Sequence, residues 1–239
     1  MTWSESTPLA ELAAASAAAV RILERHGLDY CCGGARPLKD AAREKGLDAA
    51  AILAEIEQAQ AGAPADRDWR AAPLDELADH IVKTHHEYLK LNLPALSSRL
   101  AKVLEVHGAK DPARLRAMSE TFGALRAELE EHLHKEEIIL FPFIERCARA
   151  ASQGLPLPPA PFGTIANPIR VMEREHETAG AALARLRELT AGYTLPEWAC
   201  DTARALWRGL EDLEQDLHMH IHLENNILFP RAIALERGD

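Results

Sequence analysis

Two segments of this chain nearly repeat each other: HLHKEEIILFP at 132–142 and HIHLENNILFP at 220–230. Both carry His first, Glu fifth and Ile-Leu-Phe-Pro at the end. On an α-helix, residues four apart share a face. His132 therefore projects with Glu136, and His220 with Glu224. Ile139 and Leu140, like Ile227 and Leu228, supply an apolar stripe beside each pair. That stripe aims an imidazole and a carboxylate at a helical core, where burial without partners is costly. A bound metal ion removes the cost. The duplication predicts two helices facing each other across a metal site.

The surrounding sequence fits this. Helical periodicity dominates and strand signals are nearly absent. A helix is expected over 8–26, ending at Gly27, with further helices at 37–45 and 49–60. Residues 61–73, AGAPADRDWRAAP, have a linker's composition. Three regions follow: a small helical domain at 1–60, a linker at 61–73 and a larger domain at 74–239. The latter shows four long helical stretches, near 74–106, 112–151, 164–191 and 196–236, separated by Gly- and Pro-bearing breaks. The expected fold is all-α, an antiparallel four-helix bundle preceded by the small helical domain. Pro94, Pro142 and Pro230 fall inside predicted helices and should kink them.

The other two long helices can complete the site. IVKTHHEYL offers His85 or His86, and VMEREHETAG offers His176. Each half then reads as one His followed by His-x-x-x-Glu on the next helix. The total is four imidazoles and two carboxylates, and two duplicated halves facing each other suggest two ions, with Glu136 and Glu224 as bridges. Nitrogen and carboxylate donors suit iron, zinc or copper better than magnesium or calcium, and a carboxylate-bridged pair in a bundle favours iron. Glu128 and Asp216 lie four residues before His132 and His220, where they can accept from the rings or move protons. Glu175, beside His176, is a further candidate. His134, His218 and His222 should point away from the ligands, and Phe141 and Phe229 should fill the core.

Composition narrows the partners. The 239 residues carry a formal net charge of −10, which disfavours nucleic acid and anionic membrane surfaces. No signal peptide or transmembrane span is apparent. The four cysteines, Cys31, Cys32, Cys147 and Cys200, do not form a secreted disulfide framework. A cytoplasmic location is expected. Cys147 and Cys200 read as core residues. Adjacent Cys31 and Cys32, in DYCCGG, do not easily bridge each other. They suit thiolate or redox chemistry, with a helix N-terminus nearby to lower a thiol pKa.

The LDYCCGG loop, the two repeated segments and VMEREHETAG together resemble the repair-of-iron-centres (RIC) family, whose members have a hemerythrin-like domain. The resemblance covers essentially the whole chain. It implies iron ligands at His85, His132, Glu136, His176, His220 and Glu224, and acids leading to the iron at Glu128 and Glu175. It also matches Val106-His107-Gly108, which places His107 near the site. It implies an oxo- and carboxylate-bridged di-iron centre in a cytoplasmic homodimer. Iron–sulfur proteins damaged by nitric oxide or oxidants would be its partners. Cys31 and Cys32 would assist iron transfer or redox chemistry. The rival readings are a nitric oxide or peroxide reductase, an oxygen or nitric oxide sensor or carrier, and a metal-free helical interaction protein.

Overall fold

Pro142 and Pro230 set the local shape of the two repeated segments. A proline in a helix lacks an N–H, and its ring meets the carbonyl four residues back. In the computed structural model, which describes residues 3–61 and 67–238, a π-turn opens the helix just ahead of each proline. The turns span Glu136–Leu140 and Glu224–Leu228 and close with five-residue bonds, Phe141 N–H to the Glu136 carbonyl and Phe229 N–H to the Glu224 carbonyl. Pro142 and Pro230 then stand in the first turn of the α-helix that follows, where no N–H is missed. A third π-turn, Val82–His86, closes from Glu87 N–H to the Val82 carbonyl without a proline.

The small domain contains α1 (Leu9–Ala13), α2 (Ala17–Arg25), α3 (Leu38–Glu44) and α4 (Ala49–Ala61). The single helix expected over 8–26 is in fact two. Ser16 has extended backbone and accepts from Ala19 N–H at 3.1 Å, starting a new helix. Gly27 ends α2 in the left-handed conformation (φ 62°). The linker expected over 61–73 falls partly on 62–66, outside the described residues.

The bundle follows. Its first member joins α5 (Leu74–Ile81) through a π-turn to α6 (Glu87–His107). The second joins α7 (Pro112–Lys135) to α8 (Phe141–Ser152). The third is α9 (Ala166–Leu189), and the fourth joins α10 (Asp201–Leu223) to α11 (Phe229–Arg237). α6 packs on α7 and α10, and α9 packs on the same two, closing a four-helix ring. Pro94 lies inside α6, which runs through it. Among the described residues there is no strand, only an isolated antiparallel bridge between Pro8 and Pro37. No helix among them is long and apolar enough to cross a membrane.

Two apolar cores fill the bundle. One, with Leu93, Phe122, Leu183 and Trp207, occupies the end bearing the α6–α7 and α9–α10 connections. The other, with Ile81, Phe143, Ile169 and Leu228, fills the opposite end. A third core belongs to the small domain and takes in Ile221 of α10, so the two domains are packed together. Leu140, Ile227 and Leu228 are buried as expected, but Ile139 is half exposed (50%). Its π-turn faces outward there, whereas the matching turn of the second copy is covered.

Candidate metal centre

A layer of buried polar side chains separates the two bundle cores. Two sets of ligand-type atoms converge in it: His86, Glu136, His220 and Glu224, and His132, Glu136, His176 and Glu224. The two carboxylates belong to both sets. Glu136, Glu224 and His86 have no measurable exposure, and the other three rings are almost as deeply buried.

The ring nitrogens point inward. His86 Nε2 lies 3.2 Å from His220 Nε2 and 3.5 Å from Glu136 Oε2. His220 Nε2 lies 2.9 Å from Glu224 Oε1. In the other half, His132 Nε2 is 3.1 Å from His176 Nε2 and 3.2 Å from Glu136 Oε2, and His176 Nε2 is 3.0 Å from Glu224 Oε2. Both Glu136 oxygens and Glu224 Oε2 are buried with no hydrogen-bond donor. Leaving such atoms unpaired costs roughly 1–3 kcal/mol each, more when charged. Donor atoms about 3 Å apart, bonded to a cation at about 2 Å, match imidazole–carboxylate coordination. The residues present therefore fit a pair of cations.

The outer nitrogens fix the rings. His86 Nδ1 donates to Glu137 Oε1 at 2.9 Å, and Lys90 neutralises that carboxylate. His132 Nδ1 donates to Glu175 Oε2 at 2.8 Å, with Lys135 on the other oxygen. His176 Nδ1 donates to the Asn225 side-chain oxygen at 2.8 Å. His220 Nδ1 has no partner. A donating Nδ1 leaves the lone pair on Nε2, the atom turned to the cluster. Phe141 lies over His86 at 5.6 Å and 25°, and Phe229 over His176 at 6.1 Å and 3°. The motif phenylalanines thus wall the site as well as filling the core.

The charge balance agrees. Burial opposes protonation of His132, but Glu136, Glu224 and Glu175 outweigh it and raise the pKa to about 9. His86 also moves up, because Glu224, Glu136 and Glu137 outweigh its burial. Burial holds His220 down at about 3. Glu224 stays well below its ordinary value, its desolvation overcome by His220, His176 and His86. The carboxylates draw positive charge into the layer, and bound cations supply it without protons.

Several expectations are corrected. His86, not His85, joins the cluster. The π-turn at Val82–His86 turns His86 inward, while His85 Nδ1 donates to Asp216 Oδ1 at 2.9 Å and its ring stacks parallel to His220 at 5.6 Å. Asp216 therefore supports His85 rather than His220. Glu128 makes no hydrogen bond to His132; it is exposed and lines a small cavity with His132, Glu175, His176 and His220. His107 is remote from the cluster, at the far end of α6, roughly 30 Å away at 1.5 Å per residue. Of the three histidines expected to point away, His134 is exposed and His218 half-buried. His222 also turns away from the cluster, but it is buried against Tyr30 of the small domain at 5.5 Å rather than exposed. Cys200 is exposed, not core. Glu137 and Asn225 were missed, although both directly follow the motif glutamate and both can accept a hydrogen bond.

The cysteine loop rests against the third bundle helix. Cys32 Sγ lies 4.0 Å from the His176 carbonyl oxygen. Asp29 accepts from the Cys31, Cys32 and Gly33 N–H groups at 3.2, 2.9 and 3.0 Å. Its desolvation is outweighed by these donors, so its pKa falls. The expected lowering of a thiol pKa does not hold for Cys31. The adjoining Cys32 thiol, burial and Asp29 all push Cys31 up. Gly34 leaves no room for a side chain: a Cβ there would stand 2.6 Å from both the Tyr30 carbonyl and the Asn226 side-chain oxygen.

Known proteins resemble this chain in sequence. Residues 77–232 match the family described as Hemerythrin HHE cation binding domain, and residues 5–60 match a domain of unknown function, DUF542. The chain is 40% identical over 229 residues to the iron-sulfur cluster repair protein YtfE of Citrobacter koseri, covering 96% of this chain and 97% of that one. It is 39% identical, with the same coverage, to the proteins of that name from Escherichia coli O8 and Shigella boydii serotype 4. The chain belongs to the YtfE family of hemerythrin HHE cation-binding proteins.

Proposed function

We propose that this protein repairs iron–sulfur clusters damaged by nitrosative or oxidative stress, by donating iron held in the His/Glu layer. The observation that carries this reading is a pair of buried carboxylates, Glu136 and Glu224, each shared by two histidine half-sites, with both oxygens of Glu136 and one of Glu224 left without a donor. The relatives' printed activity, iron-sulfur cluster repair, supports it. His86 and His220 would hold one iron, His132 and His176 the other, with Glu136 and Glu224 bridging them. Iron seated there supplies a change of oxidation state and an exchangeable position for oxide, oxygen or nitric oxide.

The chain's own residues set the conditions for release. Glu137, Glu175 and Asn225 accept from the outer ring nitrogens and so hold Nε2 of His86, His132 and His176 towards the cluster. Phe141 and Phe229 exclude water from two sides. A cavity of about 10 Å³ beside His132, His176 and His220 has room for a water-sized molecule. Glu128, exposed at that cavity, would offer a leaving cation a carboxylate, while Glu175 is held by Lys135 and His132. Cys31 and Cys32 serve as redox or iron-transfer thiols, and the closeness of Cys32 to the His176 turn supports this.

The test compares the parent chain with a Glu136→Leu, Glu224→Leu double variant. Iron per chain, the optical spectrum and reactivation of a nitric oxide-damaged [4Fe–4S] dehydratase are measured together. Two irons and reactivation in the parent, both lost in a folded variant, are expected. Reactivation that survives without iron overturns the reading. The small cavity favours one second reading, reduction of nitric oxide or peroxide at the same layer. Steady turnover with an electron donor and no net loss of iron would distinguish it.

A further inference from the structure

Cys200 stands at the N-terminus of α10, exposed to solvent and about 30 Å along that helix from His220. The backbone N–H groups of Ala203 and Thr202 pull its thiol pKa down. Facing it is an imidazole from another helix. His107, at the C-terminal end of α6, is 93% buried, with 7% of its surface exposed. Its Nε2 lies 3.3 Å from Cys200 Sγ, and its Nδ1 has no partner. Among the described residues, the sulfur is the only polar contact of this buried ring. Trp198 stacks on the ring at 4.8 Å and 30°, and Trp207 meets Trp198 edge-on at 6.0 Å. An aromatic face stabilises an imidazolium, and a helix N-terminus stabilises a thiolate. Of the other cysteines, Cys31 and Cys147 are both buried and pushed upward in pKa.

We propose that Cys200 and His107 form a reactive thiol site, separate from the His/Glu layer, that reduces a small uncharged hydroperoxide. The proton passes from Sγ to His107 Nε2, giving a thiolate and an imidazolium. The sulfur attacks one peroxide oxygen and the O–O bond breaks. Cys200 becomes a sulfenic acid, and the leaving hydroxide, or the alkoxide of an organic hydroperoxide, takes the His107 proton and departs as water or alcohol. The thiol sulfur is oxidised and the peroxide reduced, with no other reactant. Glu197 and Asp201 flank the cysteine and are exposed, and the chain carries a net charge of −10. This charge repels anionic disulfides and leaves a neutral peroxide as the matching electrophile. Cys31 and Cys32 rest against the middle of α9 near His176, and Cys147 lies in the opposite core, so the sulfenic acid meets no second thiol of its own chain.

Site-resolved alkylation tests the pairing. Iodoacetamide is applied to the full chain at pH 7, and peptides are quantified by mass spectrometry. Cys200 in the folded chain should react about tenfold faster than in the same chain unfolded in urea. His107→Gln should remove that advantage without altering the far-ultraviolet circular dichroism or the iron content. An equal or slower rate in the folded parent overturns the proposal, and this comparison holds even if the variant fails to fold. Hydrogen peroxide with a dimedone trap then reads the chemistry. The sulfenic tag should appear first on Cys200, and equally in the Glu136→Leu, Glu224→Leu chain. A tag that vanishes with the iron marks an oxidant made at the metal and overturns the proposal. Failure here leaves the cluster-repair reading intact, because the two tests share no required outcome.

Discussion

His85 and His86 differ by one position and have different surroundings. His86 is closed in by Glu136, His220, Glu137 and Phe141, while His85 is held by Asp216. His86→Ala should therefore remove about one ion's worth of metal, whereas His85→Ala should weaken binding by about ten- to a hundredfold, as an orienting neighbour does. Equilibrium dialysis of both variants separates the outcomes. Five of the six clustered residues were legible from the motif spacing alone. His86 was not, because neighbouring histidines present equal chemistry and only the local helix geometry chooses between them. His222 carries a pH prediction. Burial depresses its pKa to about 4, against about 6.5 in an unfolded chain. The unfolded chain therefore takes the proton first as pH falls. Stability from this residue is complete above about 6.5 and lost as pH drops through about 4, on the order of 3 kcal/mol in all. His220, depressed to about 3, acts in the same direction. His132, raised to about 9, acts oppositely: its contribution is present below about 6.5 and is lost as pH rises through about 9. Urea midpoints of metal-free protein at pH 7.5 and 4.5 should differ less in His222→Gln than in the parent.

At the scale of one element, the π-turns place the glutamates. A π-turn adds one residue to a helix and rotates everything after it relative to everything before. Deleting exposed Ile138 should return the second bundle member to a plain α-helix. Pro142 would then meet the carbonyl four residues back, at a cost of about 3 kcal/mol or more. Melting temperature and iron content should both fall. Adding Pro142→Ala to the deletion should restore the melting temperature but not the iron, because Glu136 remains out of register with Phe141. Iron retained in the deletion variant would mean that the turn does not set the site. The four long helices and their breaks could be read from periodicity and from Gly and Pro. The π-turns could not, since a turn of five residues is shorter than the window over which a helical period can be read. The proline at a fixed distance after each glutamate was visible, but read as a kink. Ser16 misled in a similar way: the alanine-rich run around it hides a cap within a helix-forming composition.

For the whole molecule, the issue is how the small domain is held. Ile221 belongs to its core, and Asn226 donates to the Tyr30 and Cys31 carbonyl oxygens at 3.2 and 3.1 Å. Gly34 permits this approach, so Gly34→Ala should force the cysteine loop away from the bundle. Alkylation of Cys31 should then rise by about tenfold as burial is lost, while iron content stays at the parent level. Unchanged protection of Cys31 would show that the contact is incidental. Docking was hidden in the sequence because a linker's composition says nothing about which faces meet across it. The π-turn Glu224–Leu228 carries three duties on consecutive residues. Glu224 bridges the half-sites, Asn225 orients His176, and Asn226 latches the cysteine loop. These three share one stretch of backbone, as teeth share one gear. A shift of Glu224 would therefore be felt both at the ring of His176 and in the loop that carries Cys31 and Cys32, through a single turn of backbone.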